Sequence, residues 1–274
     1  MEGIINWNEL WKVIRLSSPW RRTLDEPAGS FWDKRAKRFN ESMMQNRERT
    51  ERQIAKIELA PEYTVLDVGA GTGRLAIPIA KQVKSVTAID PSRGMLACLQ
   101  ENMEKERVEN ITCINKRWED VELGVDVEPH DVVIASHSLG MFDIQEALAK
   151  IDAAAKKYVY IFTFAGRWMD EGLWEKIHGE MRPSWSDYIY LYNILHDMSI
   201  YANVEIWDSE YEQRYGSLDE AVTKLKEMYD LPSEKEGILR EHLSKILVKE
   251  EDEMLCLKRK SKSAMIWWQK NVHE

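Results

Sequence analysis

Cysteine is scarce: Cys98, Cys113 and Cys256 are scattered through 274 residues with no C-x-x-C pair. That argues against a disulfide framework or a clustered thiolate metal site. A basic excess is also missing. Lys and Arg number 38 against 47 Asp and Glu, for a net charge of −9. Nucleic-acid affinity comes largely from phosphate contacts, so a long nucleic-acid partner is disfavoured. No apolar run approaches the ~20 residues of a membrane span. The opening Met1-Glu2-Gly3-Ile4-Ile5-Asn6 lacks the basic start and apolar core of a signal peptide, and the expectation is a cytoplasmic chain. What is present suits a globular protein: 44% hydrophobic and 31% charged residues, enough for one good core with additions. Tryptophan is abundant at 11 residues, above average usage, which directs attention to an aromatic pocket.

The chain is organised around Val65-Leu66-Asp67-Val68-Gly69-Ala70-Gly71-Thr72-Gly73-Arg74-Leu75. A short apolar strand from Thr64 to Val68 runs into glycines at alternate positions. A helix then follows, with Leu75, Ala76, Ile79, Ala80 and Val83 on one face. Alternate glycines let a ligand approach the backbone and permit positive φ. Val86-Thr87-Ala88-Ile89-Asp90 reads as a second strand ending in a carboxylate. Strand, glycine turn, helix, strand and terminal acid compose a nucleotide-binding half of a doubly wound sheet. Arg74 stands where a dinucleotide fingerprint needs its third glycine. Asp67, at the mouth of the loop, would repel a pyrophosphate but suits an ammonium group. S-adenosyl-L-methionine carries that ammonium and no phosphate, and Asp90 is placed to accept from its ribose hydroxyls.

Leu66 to Gly73 together with Ala88-Ile89-Asp90-Pro91-Ser92 resembles the class I S-adenosylmethionine-dependent methyltransferases, most nearly the UbiE/COQ5-like small-molecule branch. The resemblance implies an α/β fold: a Rossmann-like seven-stranded sheet flanked by helices. It also implies an N-terminal helical cap over residues 1–62. The core would occupy 63–274 as one structural unit, with helical insertions at about 166–202 and 217–250. Cofactor contacts are expected from Asp67, Gly69, Ala70, Gly71, Thr72, Gly73, Asp90, Pro91 and Ser92. Met95 would lie on the adenine. Many relatives place an acid and a small residue at the positions of Arg117 and Trp118; this chain departs from that. Trp118 is then expected to stack on or wall off the adenine, and Glu119 to take over the polar contact. Cap aromatics Trp32 and Phe39 are lid candidates, against the alternative that they only pack helices.

The fourth strand, His130 to Ala135, exits through Ser136-His137-Ser138, and such exits face the ligand. Ser136 is therefore expected beside the cofactor. His137, the histidine nearest the methyl group, is the candidate general base, against the alternative of an orienting or packing role. The Asn/Asp-Pro-Pro-Tyr/Phe pattern of amino-methylating DNA enzymes is missing there. Helices are expected at 7–16, from Ser30, over Arg47 to Leu59, and from Ser92 to about Arg107. Asn6 with Glu9, and Ser217 with Glu220, are placed as capping boxes.

Strands are expected at Ile111 to Asn115, Tyr158 to Phe164 and Val204 to Trp207. A terminal hairpin, Met254 to Leu257 with Ala264 to Gln269, would carry the basic run 258–262 as its exposed turn. Between Ala165 and Tyr201, Trp168, Trp174, Trp185 and several tyrosines form an aromatic stretch. A helix there would present Ile189, Tyr192, Leu195 and Met198, and His178 and Arg182 are the polar candidates to orient an acceptor.

The expected activity is methyl transfer to a small, apolar or aromatic acceptor. Unclustered cysteines disfavour an arsenite-methylating enzyme. Two alternatives stay open: a protein or tRNA methyltransferase, and a non-catalytic S-adenosylmethionine-binding regulatory module.

Overall fold

In the computed structural model the described residues are 5–17, 24, 26–44, 47–165, 171–179, 188–229 and 231–270. They separate into two compact units. The first comprises residues 1–163, 186–205 and 265–274; the second comprises 164–185 and 206–264. The sequence reading instead places all of 63–274 in one unit.

The first unit holds the nucleotide-binding sheet. Strands β1 (Thr64–Val68), β2 (Ser85–Ile89), β3 (Ile111–Ile114), β4 (His130–Ser136) and β5 (Ala155–Phe164) pair in parallel. With β6 (Asn203–Tyr215) and β8 (Leu255–Gln269) the order is β3-β2-β1-β4-β5-β8-β6. A two-residue strand, β7 (Val248–Lys249), pairs only with β8, antiparallel. The Rossmann-like methyltransferase sheet is thus as expected.

Parallel strands are covered on both faces and read as continuous apolar runs. Val65, Leu66 and Val68 in β1 and Val132 to Ala135 in β4 are fully buried accordingly. Asp67 is the one charged side chain of β1, and it is buried too. The chain goes from β1 outward to β2 and β3, then returns to lay β4 on the other side of β1. The carboxyl ends of β1 and β4 therefore flank the topological switch point, where α/β sheets take ligands.

Local signals place most helices. Asn6 Oδ1 accepts from the Glu9 amide at 3.0 Å and opens the Trp7–Ser17 helix. Ser92 Oγ accepts from Met95 N at 3.0 Å and opens Arg93–Glu106. Ser217 Oγ accepts from Glu220 N at 3.1 Å, while Glu220 reaches back to the Gly216 amide at 2.6 Å. The cap helix expected to reach Leu59 spans only Arg47–Ile54. The Tyr188–Asp197 helix buries Leu191, Ile194 and Leu195 in the first unit's core with Tyr192 and Met198 packed against it; of the expected face, Ile189 alone is exposed.

In the second unit, the Glu171–His178, Leu218–Tyr229 and Glu236–Ile246 helices supply Leu173, Ile177, Ala221, Val222, Leu225, Leu239 and Leu243 to one cluster. The basic run 258–262 is not a turn but lies within β8. Its charges alternate with buried Ser261 and Ser263, so Lys258, Lys260 and Lys262 share the exposed face. They meet Glu250 at 3.1 Å, Glu210 at 3.7 Å and Asp208 at 2.6 Å. Cross-strand charge complementarity lets so polar a segment stay extended. It also explains why β6 runs well beyond Trp207.

Candidate active site

The β1 exit is built from backbone that only glycine supplies cheaply. Gly69, Gly71 and Gly73 have φ of 75°, 55° and 84°. A Cβ on Gly69 would sit 2.3 Å from Ser138 Cβ, and one on Gly73 would sit 2.2 Å from Leu99 Cδ1. The first lets the β4 exit close on the loop. The second lets the Arg93–Glu106 helix pack beneath it. The Gly69 and Ala70 amides both donate to Ile89 O, at 2.8 and 3.0 Å, which ties the loop to the end of β2. Thr72 is buried, and its carbonyl accepts from Asn102 Nδ2 at 3.0 Å.

Asp90 closes the other side. Its Oδ2 accepts from Gly71 N at 2.9 Å and its Oδ1 from Ser92 N at 2.8 Å. Each oxygen keeps a further lone pair, so a ribose hydroxyl fits the same carboxylate. Burial pushes Asp90 up to about 6, against the two amides, with Asp33 adding to the rise. Asp67 is 2% exposed. Its burial pushes it up to about 7; Arg74 opposes the rise and Asp90 reinforces it.

The cap docks on this rim through groups that no local pattern marks. Asp33 Oδ1 accepts from Ser92 Oγ at 2.7 Å and Gly94 N at 2.8 Å, placing a carboxylate at the amino end of the Arg93–Glu106 helix. Gly29, φ 79°, touches the Pro91 carbonyl so closely that a Cβ would lie 2.3 Å away. Trp32 and Phe39 pack edge to face, centroids 5.6 Å apart, against the small cluster of Ala36, Met95 and Cys98. Phe39 Cε1 lies beside Gly71. Trp32, Met95 and the loop are thus brought together.

Two expectations fare differently. Trp118 is 2% exposed within the sheet core, and its indole N–H donates to Ala147 O at 3.1 Å. The indole packs in the core with Ala147, Leu148 and Ile151 of the Ile144–Ala153 helix. Glu119 is exposed and acts electrostatically on the buried Arg15. Arg182, Trp168 and Trp185 lie outside the described residues.

At the β4 exit, Ser136 Oγ accepts from Arg74 Nη2 at 3.0 Å, and Arg74 Nη1 donates to Thr50 Oγ1 at 3.2 Å. His137 adopts φ 55° and donates its amide to Phe162 O at 2.8 Å. A non-glycine residue held there costs on the order of 1 kcal/mol or more, strain of the kind that clusters at functional sites. Its Nε2 meets Arg49 Nη2 at 2.5 Å. A guanidinium only donates, so Nε2 accepts and the ring proton resides on Nδ1. Burial, then Arg49, then Arg74 hold His137 well below the usual imidazole range. Its Nε2 lone pair thus faces the Arg49 guanidinium, the geometry of the orienting alternative. Arg49 and Asp33 escape sequence reasoning because their partners are 88 and 59 residues away.

Comparison with known proteins fits this geometry. Residues 65–157 match the methyltransferase domain family Methyltransf_25. A Haemophilus influenzae protein named only as uncharacterized is 32% identical over 247 residues, covering 86% of this chain and 88% of that one. The chain carries a methyltransferase domain and is an S-adenosylmethionine-dependent methyltransferase. A Methanocaldococcus jannaschii protein named a probable cobalt-precorrin-6B C(15)-methyltransferase (decarboxylating) is 38% identical over 68 residues, covering 25% of this methyltransferase and 37% of that protein. The YcgJ protein of Bacillus subtilis shares the fold at a TM-score of 0.56 with 14% identity, over 81% of this chain and 97% of that one. The methyltransferase takes S-adenosylmethionine as its cofactor. The left-handed glycine cradle, with one buried carboxylate before it and one after it, fits that molecule's amino-acid and ribose ends. Among the described residues no helix is long and apolar enough to cross a membrane.

Proposed function

We propose that the methyltransferase serves a small acceptor, in the manner of the UbiE/COQ5-like branch, and methylates it by in-line displacement. When bound, S-adenosylmethionine supplies an activated sulfonium methyl. The chain's own residues bind, orient and exclude water. Asp90 would take the ribose hydroxyls and Asp67 the ammonium, while the amides of 69–73 lie along the amino-acid end. Trp32, Phe39 and Met95 form the apolar side, where holding donor and acceptor in line supplies much of the rate. His137 is assigned to positioning Arg49 rather than to proton removal.

The observation that carries the small-acceptor reading is the cap itself. It is fastened at Gly29, Asp33 and Phe39 directly onto the β2 and glycine-loop rim. A cap so close over the donor favours an acceptor that fits beneath it. The net charge of −9 further disfavours tRNA. The relative named for a corrin precursor supports the same class. Incubation with methyl-labelled cofactor and fractionated cell extract tests this reading. Label is expected in the small-molecule filtrate; label confined to protein or RNA would overturn it. Absence of any S-adenosylhomocysteine would favour the regulatory-module alternative.

A further inference from the structure

The Arg47–Ile54 helix has Ile54 as its one apolar residue, where a helix docked by packing alone would carry an apolar stripe. Glu48, Glu51 and Arg52 are exposed, and the opposite face carries Arg49, Thr50 and Gln53, neighbours at three- and four-residue spacing. Two contacts fix where that face lies. Arg49 reaches His137 at the β4 exit, and Thr50 Oγ1 accepts from Arg74 of the glycine loop. Just beyond the helix, the Glu58 amide donates to the Tyr160 hydroxyl on β5 at 3.1 Å. Phe162 shares that face of β5, and its carbonyl holds the His137 amide. The stretch 49–58 therefore spans from the β4 exit to Tyr160, and Gln53 lies between the two anchors. Gln53 is 1% exposed. Glutamine is mostly a surface residue, and a buried amide ordinarily finds partners for its polar atoms. Among the described residues nothing donates to Gln53 Oε1. Leaving such an oxygen without a donor costs stability, which a ligand that brings a donor restores.

We propose that Gln53 is a specificity-determining residue of the acceptor site, its Oε1 accepting a hydrogen bond from a hydroxyl or amino group of the methyl acceptor. The proposal rests on the small-acceptor methyltransferase reading and narrows it to molecules that carry such a donor. An amide oxygen orients a hydroxyl or amine without taking up its proton, so the role is binding and selection. A site built to pair with a donor rejects analogues that lack it, because the buried oxygen is then left unpaired. Two rivals offer the same chemistry: a buried water, and the cofactor's own hydroxyl and amino groups.

The test compares the full chain with Gln53→Met, which keeps the side chain's length and removes its amide, and with Gln53→Glu, which keeps an oxygen acceptor. The small-molecule filtrate of cell extract supplies the acceptor, and methyl-labelled cofactor reports transfer. Without ligand, Gln53→Met is expected to raise the Tm by about 2–4 °C, since it removes a buried oxygen that has no donor. The amount of filtrate giving half-maximal transfer is expected to rise about tenfold in Gln53→Met, with the limiting rate within about threefold and Gln53→Glu between. Affinity for S-adenosylhomocysteine should stay within about threefold of wild type in both variants. A Tm that stays or falls in Gln53→Met assigns the amide to a structural bond, such as one through a buried water, and overturns the proposal. Half-maximal filtrate unchanged in Gln53→Met overturns it as well. So does a loss of S-adenosylhomocysteine affinity of about tenfold, which assigns Gln53 to the cofactor. Wild type that methylates no component of the filtrate would sink the small-acceptor reading beneath it, a distinct result.

Discussion

The two buried carboxylates make cofactor affinity a function of pH, and the dependence follows from the structure. Without ligand, Asp67 titrates near 7 and Asp90 near 6, both raised by burial. An ammonium beside Asp67 and hydroxyls on Asp90 favour the ionised forms, so binding draws protons off both. At pH 8 both are almost fully ionised. At pH 6 Asp67 is only about one-tenth ionised and Asp90 about half. Affinity for S-adenosylhomocysteine should therefore fall by about 20-fold from pH 8 to pH 6, roughly tenfold from Asp67 and twofold from Asp90. At pH 7 about 0.6 proton should be released per ligand bound, measured by calorimetry in buffers of different ionisation enthalpy. Asp67→Asn should reduce the pH effect to about twofold. The same ionisation acts on stability in the opposite sense. Asp67's folded value lies above its unfolded one, so its contribution is fully present below about 3.8 and lost as pH rises through about 7, on the order of 4 kcal/mol. Asp67→Asn should then raise the Tm of the ligand-free protein at pH 8 while weakening the ligand. A flat affinity profile, tighter binding at low pH, or an unchanged slope in Asp67→Asn would refute this reasoning.

Other substitutions separate packing from chemistry. Asp33→Ala removes acceptors from Ser92 and Gly94 and should cost about 1–2 kcal/mol by thermal denaturation, with a matching loss of ligand affinity as the cap loosens. Gly73→Ala meets both a left-handed φ and Leu99, and roughly 2–4 kcal/mol of stability should be lost in a denaturant titration. Trp118→Phe should lose about 1 kcal/mol through the indole bond to Ala147 yet bind S-adenosylhomocysteine within about threefold of wild type; a tenfold loss would restore an adenine-contact role. Once an acceptor is in hand, the pH profile of kcat should show no limb assignable to His137 near 6.5, since burial and Arg49 hold the imidazole well below its ordinary range; a limb there abolished by His137→Gln would assign it as a base.

What the sequence discloses here is what lies close along the chain. The β1–glycine-loop–β2 half was legible because a strand, its turn and its terminal acid are encoded consecutively, and the Asn6, Ser92 and Ser217 caps because each bonds an amide three residues on. The basic segment of β8 was misread because Lys-x-Lys-x-Lys has the polarity of an exposed turn. Only its partners on β6 and beside β7 reveal it as the outward face of a strand. Trp118 was assigned by its place in the motif order, whereas its burial depends on the Ile144–Ala153 helix packing against it. Arg49 and Asp33 carry no local signature at all. Each becomes a site residue only when the cap folds back onto the sheet.

A crystal structure of the full chain with S-adenosylhomocysteine is the most direct test of the central claim. The account predicts the ribose hydroxyls on Asp90, the amino-acid end along 69–73 with its ammonium toward Asp67, and Arg49 still on His137. A nucleoside bound away from the glycine loop, or a loop that closes without admitting one, would contradict it.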